Sequence, residues 1–171
     1  FARADLLNRV AALILERKET IARDLAQEQG KPYHSDALVE EYIEGREIYI
    51  GLTTDDPFGP VITFGAGGTM IELIADRAME LPPLNQFLAR QLIERARIAE
   101  MLGEWRGAPA ADLEAVEQIL LRASEMVCAL PHLREMDINP VIVDEHGAVA
   151  VDARIVVDHA PPAARDYGHL A

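Results

Sequence analysis

The chain is 171 residues long and half of its residues are hydrophobic, enough to bury one good core or two small ones. Its net charge of -13 argues against a nucleic-acid partner, because phosphate backbones require clustered cations and its 16 Lys and Arg are scattered among 29 Asp and Glu. No apolar run approaches the roughly 20 residues of a membrane span, and the first residues lack the apolar core of a signal peptide. We therefore expect a cytoplasmic protein without a membrane segment, with its single Cys128 as a buried, inert thiol.

An amphipathic helix is predicted near the start of the chain. Apolar residues recur at helical spacing between positions 3 and 29, with charged residues on the opposite face, and Gly30 and Pro32 follow as termination signals. These apolar residues are Leu6, Leu7, Val10, Leu13, Ile14, Ile21 and Leu25. The spacing predicts one helix of about seven turns.

Strand patterns follow this helix. Runs rich in β-branched and aromatic residues predict strands over 38–43, 47–55 and 60–64. The third run leads into the glycine-rich segment 65–68. Such a run of glycines is typical of a tight turn.

Three helices are predicted in the middle of the chain. The first covers 69–79, although residues 70–74 fit a strand equally well. The other two cover 84–102 and 111–130, and Asp112 places an acid at the positive end of the last helix. Strands mixed with helices in this order imply an α+β sandwich with a mainly antiparallel sheet.

A hairpin near the end of the chain carries three oxygen-bearing side chains. Apolar runs at 140–143 and 148–151 are separated by a polar turn, which predicts two paired strands. Asp137, Asn139 and Asp152 then lie at the mouths of these strands, and the first two, being two residues apart, point to one face. Magnesium takes carboxylate and amide oxygens. The pattern fits either a magnesium site or a surface hairpin with solvated acids.

Three stretches of the chain resemble one family, in the same order. DINPV followed by AVDARI in the hairpin, the stretch from LVEEYIEGREIYIG to LPPLN at 38–85, and LGEWRGAP with the helix after it at 102–127 are similar to the ATP-grasp fold of the NDP-forming acyl-CoA synthetases. That family includes the succinyl-CoA synthetase beta subunit. The resemblance runs from about residue 38 to about 158.

The resemblance implies a nucleotide site and a metal site. A connecting strand would contact adenine and ribose, and an acid after it would lie near the nucleotide or, alternatively, be a partly exposed strand carboxylate. The connector residues are Glu40, Glu41, Tyr42 and Ile43, and the acid is Glu47. The magnesium ligands implied by the family are Asp137, Asn139 and Asp152.

Phosphate contacts are predicted at two further places. Successive amides of Gly65, Gly67 and Gly68 could form an anion nest, although no Walker A Lys follows and a simple tight turn is the alternative. Arg106 lies in a turn that resembles a family GYRG turn, and its planar fork of donors suits phosphate. Among the possible phosphate clamps Arg106, Arg46 and Arg154, we therefore expect Arg106 to be the best, and a solvated or salt-bridged arginine is the alternative for each.

The first residues resemble a different family. Residues 3–32 are similar to the amino-terminal helical region of aldehyde dehydrogenases, without that family's catalytic Cys or Glu, and they imply no activity here. The expected organisation is a helix and junction at 1–37, a nucleotide-binding subdomain at 38–158 and a tail at 159–171. In this interpretation the helix replaces the amino-terminal ATP-grasp lobe and its phosphate-contacting Lys.

The family resemblance implies the interconversion of acyl-CoA, ADP and phosphate with a carboxylate, CoA and ATP, with Mg²⁺ and ATP or ADP as ligands. We expect weak nucleotide binding and little or no turnover by this chain alone, and a CoA-binding or phosphohistidine domain as a partner. The alternative is a noncatalytic fragment that self-associates through exposed strand edges. A homo-oligomer is expected in either case.

Overall fold

The computed structural model describes residues 43–55, 58–68, 76–104 and 107–158, together with residues 9, 12, 13, 16–20 and 23. The chain divides into two units, Phe1–Tyr42 and Ile43–Ala171. The first unit is helical at nearly all of its described positions, and Arg17 N–H donates to the Leu13 carbonyl at 3.1 Å, the spacing of an α-helix. Leu13, predicted on the apolar face, is half exposed.

The second unit is built on an antiparallel sheet. Its strands are β1 (Arg46–Asp55), β2 (Gly59–Ala66), β3 (Arg77–Glu80), β4 (Leu133–Val143), β5 (Ala148–Ala150) and β6 (Ala153–Val157). The strand order is β3-β2-β1-β4-β5, and β6 pairs with β4 beside β5. All described pairings are antiparallel, as the sequence predicted.

Three helices cover one face of this sheet and form the core with it. They are α1 (Gln86–Arg95), α2 (Ala99–Leu102) and α3 (Leu113–Ala129). Alternate residues of the central strands, such as Ile48, Ile50 and Phe64, are fully buried in a cluster that includes Leu92 of α1 and Leu120 of α3. The mixed architecture confirms the predicted α+β class.

The predicted helix over 84–102 is wrong at its centre. The structure divides it into α1 and α2, and the carboxylate of Asp76 accepts hydrogen bonds from the backbone N–H groups of Arg97 and Ile98 at 2.8 Å each. Asp76 is 8% exposed, so these bonds are formed in the interior. The break between α1 and α2 is thus stabilised by a residue distant in sequence, and no local sequence signal predicts it. In contrast, α3 begins where predicted, since Asp112 caps it by accepting from Ala115 N–H.

The predicted helix over 69–79 is wrong in its described part. Residues Arg77–Glu80 form strand β3, which pairs with β2 from Ile62 to Gly65. Pairing with β2 at the edge of the sheet overrides the local helical pattern, and alternation buries Ala78 between two exposed neighbours.

The carboxyl-terminal hairpin is larger than predicted. Strand β4 begins at Leu133, so Asp137 and Asn139 lie within a strand of 11 residues and not at its mouth. Strand β6 was not predicted separately, and it pairs with the first half of β4 while β5 pairs with the second half. Asp152 lies between β5 and β6.

Two further findings concern Cys128 and the length of the helices. Cys128 is exposed on α3, so the prediction of a buried thiol is wrong, and partial desolvation still raises the pKa of that thiol. Within the described parts of the chain, no helix is both long enough and apolar enough to cross a bilayer.

Candidate functional site

The face of the sheet opposite the helices carries polar side chains. Because side chains alternate along a strand, burial of Ile48 and Ile50 against the helices directs Glu47 and Tyr49 to the opposite side. Asp137 of β4 is paired with Gly51 and belongs to the same side. We call this surface the polar face and define it by Glu47, Tyr49, Arg77, Asp137 and Asn139.

The glycine-rich segment joins Glu47 to Asn139. Gly67 N–H donates to the Glu47 carbonyl at 3.0 Å, and Gly68 N–H donates to Asn139 Oδ1 at 2.8 Å. Gly68 has φ +61°, and a Cβ atom there would collide with the Glu47 carboxylate. The structure therefore brings together three residues that the sequence predicted separately, and glycine is required where they meet.

The same contacts bear on the predicted anion nest. The amides of Gly67 and Gly68 already donate to protein acceptors, and Gly65 lies inside β2, where an added Cβ would collide with the Asp76 carbonyl oxygen. In this structure the segment positions Asn139 and allows strands to approach closely. Phosphate binding by these amides stays a prediction.

Asp137 has an oxygen without a partner. Its Oδ1 atom is buried and accepts no hydrogen bond from the described residues. Burial raises the pKa of the neighbouring Tyr49 phenol, and the charge of Asp137 adds to that rise, whereas Arg77 opposes it. A buried carboxylate oxygen of this kind is costly unless a donor or a cation satisfies it.

Asp152 approaches Asn139 through its backbone. The Asp152 carbonyl accepts from Asn139 N–H at 3.2 Å, and the Asp152 side chain is exposed. Among the described residues, no group of three or more His, Cys, Asp and Glu is arranged to hold a metal ion. The predicted ligand set of Asp137, Asn139 and Asp152 contains two carboxylates and one amide, so it is not a group of that kind. The magnesium site stays a prediction.

Several predicted site residues lie outside the described part of the chain. These are Glu40, Glu41, Tyr42 and Arg106. The last connector residue, Ile43, is described and lines a groove of about 320 Å³. The other lining residues are Ile142, Asp144, His146, Gly147, Ala148 and Val149. A largely apolar groove thus lies where the connector enters β1.

The alternative phosphate clamps have protein partners. The Arg46 guanidinium donates to the carbonyls of Gly103 and Pro109 at 2.9 and 2.8 Å, so it contacts described residues on both sides of Arg106 in the sequence. Arg154 lies 3.5 Å from the Glu135 carboxylate. These three contacts account for the two arginines without a ligand.

Sequence reasoning missed Tyr49 and Arg77. The guanidinium of Arg77 lies 5.8 Å from the centre of the Tyr49 ring. Alternation along β1 could have placed Tyr49 beside Glu47. Arg77 could not be found, because it was assigned to a helix and its place on the polar face depends on strand β3.

Comparison with known proteins identifies the family of the chain. A sequence profile of the ATP-grasp domain matches residues 7–157, and so includes part of the predicted N-terminal helix. The chain is 34% identical over 113 residues to the beta subunit of acetate–CoA ligase [ADP-forming] I from Pyrococcus furiosus, and 40% identical over 116 residues to the corresponding subunit of ligase II. Each alignment covers 66% of this chain and 49% of the relative, so the chain spans about half the length of those subunits.

Solved structures show the same fold. The acetyl-coenzyme A synthetase 1 of Ca. Korarchaeum cryptofilum, solved with coenzyme A and Mg-AMPPCP, superposes with a TM-score of 0.66 at 36% identity, covering 68% of this chain and 55% of that one. A protein from Pyrococcus horikoshii Ot3 gives a TM-score of 0.65 at 37% identity, covering 69% and 51%. Because the ATP-grasp profile matches most of its length, the chain belongs to the ATP-grasp domain family.

Proposed function

We propose that this chain is the magnesium- and nucleotide-binding part of an NDP-forming acyl-CoA synthetase. The observation that carries the proposal is the meeting of Glu47, Gly68 and Asn139 beside a buried Asp137 oxygen that has no described partner. The neighbour solved with Mg-AMPPCP and coenzyme A supports the same ligands.

The donor set fits a hard cation. Asp137, Asn139 and Asp152 would hold Mg²⁺, which prefers carboxylate and amide oxygens and keeps several waters. The ion would satisfy Asp137 Oδ1, and Asn139 Oδ1 keeps a second lone pair after accepting from Gly68 N–H. When bound, the ion supplies neutralisation of phosphate charge.

The remaining predicted residues would bind the nucleotide. Ile43 and the residues before it would contact the base, and the groove that Ile43 lines offers apolar surface for a purine. Glu47 would lie between the base and the metal, since its carboxylate is adjacent to Gly68. Arg106 would contact phosphate, and Arg46 contacts Gly103 and Pro109 on either side of it in the sequence. In phosphoryl transfer such positioning and charge stabilisation supply most of the catalysis.

The complete reaction would interconvert acyl-CoA, a nucleoside diphosphate and phosphate with a carboxylate, CoA and a nucleoside triphosphate. The P. furiosus relatives are beta subunits of their ligases, which supports a division of the reaction among several protein parts. We propose that a CoA-binding or phosphohistidine domain acts with it and that the chain alone turns over weakly or not at all.

A second candidate function is self-association. Large apolar side chains at the β5–β6 edge are between 46% and 54% exposed. They are Val149, Val151, Ile155 and Val157. An exposed apolar strand edge favours pairing with another chain, so a noncatalytic oligomerising fragment is the alternative.

Calorimetric titration of ADP and ATP, with and without Mg²⁺, tests the proposed function. We expect binding that requires Mg²⁺ and weakens at least about tenfold, or 1.4 kcal/mol, in Asn139→Ala and Asp152→Ala. Glu125→Ala is the control, since Glu125 is an exposed acid on α3. Absence of Mg²⁺-dependent binding by the unmodified protein, together with a mass in light scattering that rises with concentration, would favour the self-associating fragment.

A further inference from the structure

Arg77 and Tyr49 are aligned across three strands of the polar face. Tyr49 of β1 is paired with Gly65 of β2, and Gly65 is paired with Arg77 of β3. Because Gly65 has no side chain, nothing separates the two residues on either side of it. The Arg77 guanidinium lies 5.8 Å from the Tyr49 ring centre, within the range of a cation–π contact.

The Tyr49 ring extends along β1 towards the position of Asp137. An added Cβ on Gly51 would collide with the Tyr49 hydroxyl, so the ring lies along β1 over Gly51. Gly51 is the residue paired with Asp137. The rise in the pKa of Tyr49, due first to burial and then to Asp137, and the opposing effect of Arg77 agree with this arrangement.

The charge of Arg77 is not balanced by a described carboxylate. The described arginines of this unit other than Arg77 and Arg97 contact carboxylates or, for Arg46, backbone carbonyls. Arg77 is exposed, and no described carboxylate lies within 4.0 Å of its guanidinium. Arg77 is thus a cation without a described acidic partner on the face that carries Glu47 and Asp137, in a chain with net charge -13.

An arginine guanidinium that stacks on an aromatic ring keeps its N–H groups free to donate. Contact with an aromatic face leaves the N–H edge of arginine available, and this planar fork matches two phosphate oxygens at once. The carboxylates of Glu47 and Asp137 repel a phosphate group, so a protein cation on this face favours phosphate binding in addition to any metal ion.

We infer that Arg77, anchored on the Tyr49 ring, is a phosphate-contacting residue of the polar face. This inference rests on the proposed function for its setting and assigns a binding role to two residues on strands β1 and β3. The shared chemistry of its ligand is a phosphate group, which a nucleotide, acyl phosphate or inorganic phosphate can provide.

Calorimetric titrations of four probes test this assignment. They are Mg-ADP, adenosine, acetyl phosphate and inorganic phosphate, each added to the unmodified protein and to Arg77→Gln. We expect Arg77→Gln to weaken phosphate-bearing probes about tenfold or more and to leave adenosine binding unchanged. Weaker Mg-ADP binding would identify the nucleotide phosphates as the ligand, and weaker binding of only the smaller probes would identify the acyl-phosphate or inorganic-phosphate position.

Variants of Tyr49 and Arg122 separate this role from general electrostatics. Tyr49→Leu removes the ring that anchors Arg77 and should lose part of the affinity that Arg77→Gln loses. Arg122→Gln removes an equal charge from the exposed surface of α3 and should change binding by less than about twofold.

The outcomes distinguish the two proposals. Mg-ADP binding that is equal in Arg77→Gln and the unmodified protein, with no loss for the smaller probes, would overturn the role of Arg77 and leave the proposed function standing. Loss of acetyl phosphate or inorganic phosphate binding in Arg77→Gln, when the unmodified protein binds no nucleotide, would support Arg77 and overturn the proposed function. No binding of any phosphate probe, or an equal loss in Arg122→Gln, would overturn the inference.

Discussion

The two faces of the sheet follow different rules. On the side of the helices, Ile48, Ile50 and Phe64 are fully buried, and the fit of apolar side chains determines stability. On the polar face, a carboxylate oxygen of Asp137 is buried without a described partner, and Gly68 is held at positive φ beside Glu47. Natural proteins tolerate such local costs where function requires them. Strand β1 contributes to both faces, because its side chains point alternately to the buried core and to the proposed binding surface.

The largest effect is expected on the helix side. Phe64→Ala should lower the free energy of unfolding by about 3–5 kcal/mol, because it removes a fully buried ring and leaves a cavity. Urea denaturation followed by circular dichroism measures this loss. Thr53→Ala, an exposed change on the other side of the sheet, should stay within about 0.5 kcal/mol. Equal effects of the two changes would remove the distinction between the faces.

A smaller loss is expected at the break between α1 and α2. Asp76→Ala leaves the N–H groups of Arg97 and Ile98 without their acceptor in the interior and should cost about 1–3 kcal/mol for the group left unsatisfied. The same denaturation experiment measures it. A variant as stable as the parent would show that Asp76 does not hold the break.

Gly68→Ala should damage the polar face more than the fold. The added methyl group meets the Glu47 carboxylate, and alanine at φ +61° is strained by roughly 1–2 kcal/mol. We expect a modest fall in melting temperature and a larger loss of Mg²⁺-dependent ADP affinity in calorimetry. Gly103→Ala is the control, since Gly103 has φ -71° and its Cβ would meet only the Glu100 carbonyl oxygen at 3.7 Å. If both variants bind ADP equally, the glycine does not position Asn139.

The smallest effect concerns Cys128. Desolvation raises the pKa of this thiol above its ordinary value, and a hydrogen bond with Ser124 opposes the rise in part. A raised pKa lowers the thiolate fraction at neutral pH, so reaction with a disulfide reagent should be slow at pH 7 and should accelerate by up to about tenfold per pH unit as the thiolate fraction rises. Rates measured between pH 7 and pH 10 test this. Rapid reaction that is constant over that range would contradict it.

Local patterns predicted much of the fold. Runs rich in β-branched and aromatic residues predicted β1 and β2 to within one or two residues at each end, and the acid Asp112 predicted the start of α3. The errors occur where distant residues decide the structure. Pairing with β2 makes β3 a strand, and the Asp76 carboxylate interrupts the predicted helix.

The site was predicted in separate pieces. Local sequence patterns or the family resemblance selected each residue separately, namely Glu47, Gly68 and Asn139. Only the β1–β4 pairing and the turn after β2 bring them together. The contact between Arg77 and Tyr49 could not be predicted, because it depends on the register of three strands and on a glycine between them.

The buried oxygen of Asp137 offers the most direct test of a cation site on the polar face. Melting temperatures of the unmodified protein and Asp137→Asn should be measured without ligand, with ADP, and with ADP plus Mg²⁺. Because the amide removes a buried charge, we expect the variant to melt no lower than the parent without ligand and to gain nothing from Mg²⁺. An equal gain from ADP plus Mg²⁺ in both proteins would contradict a magnesium site at Asp137.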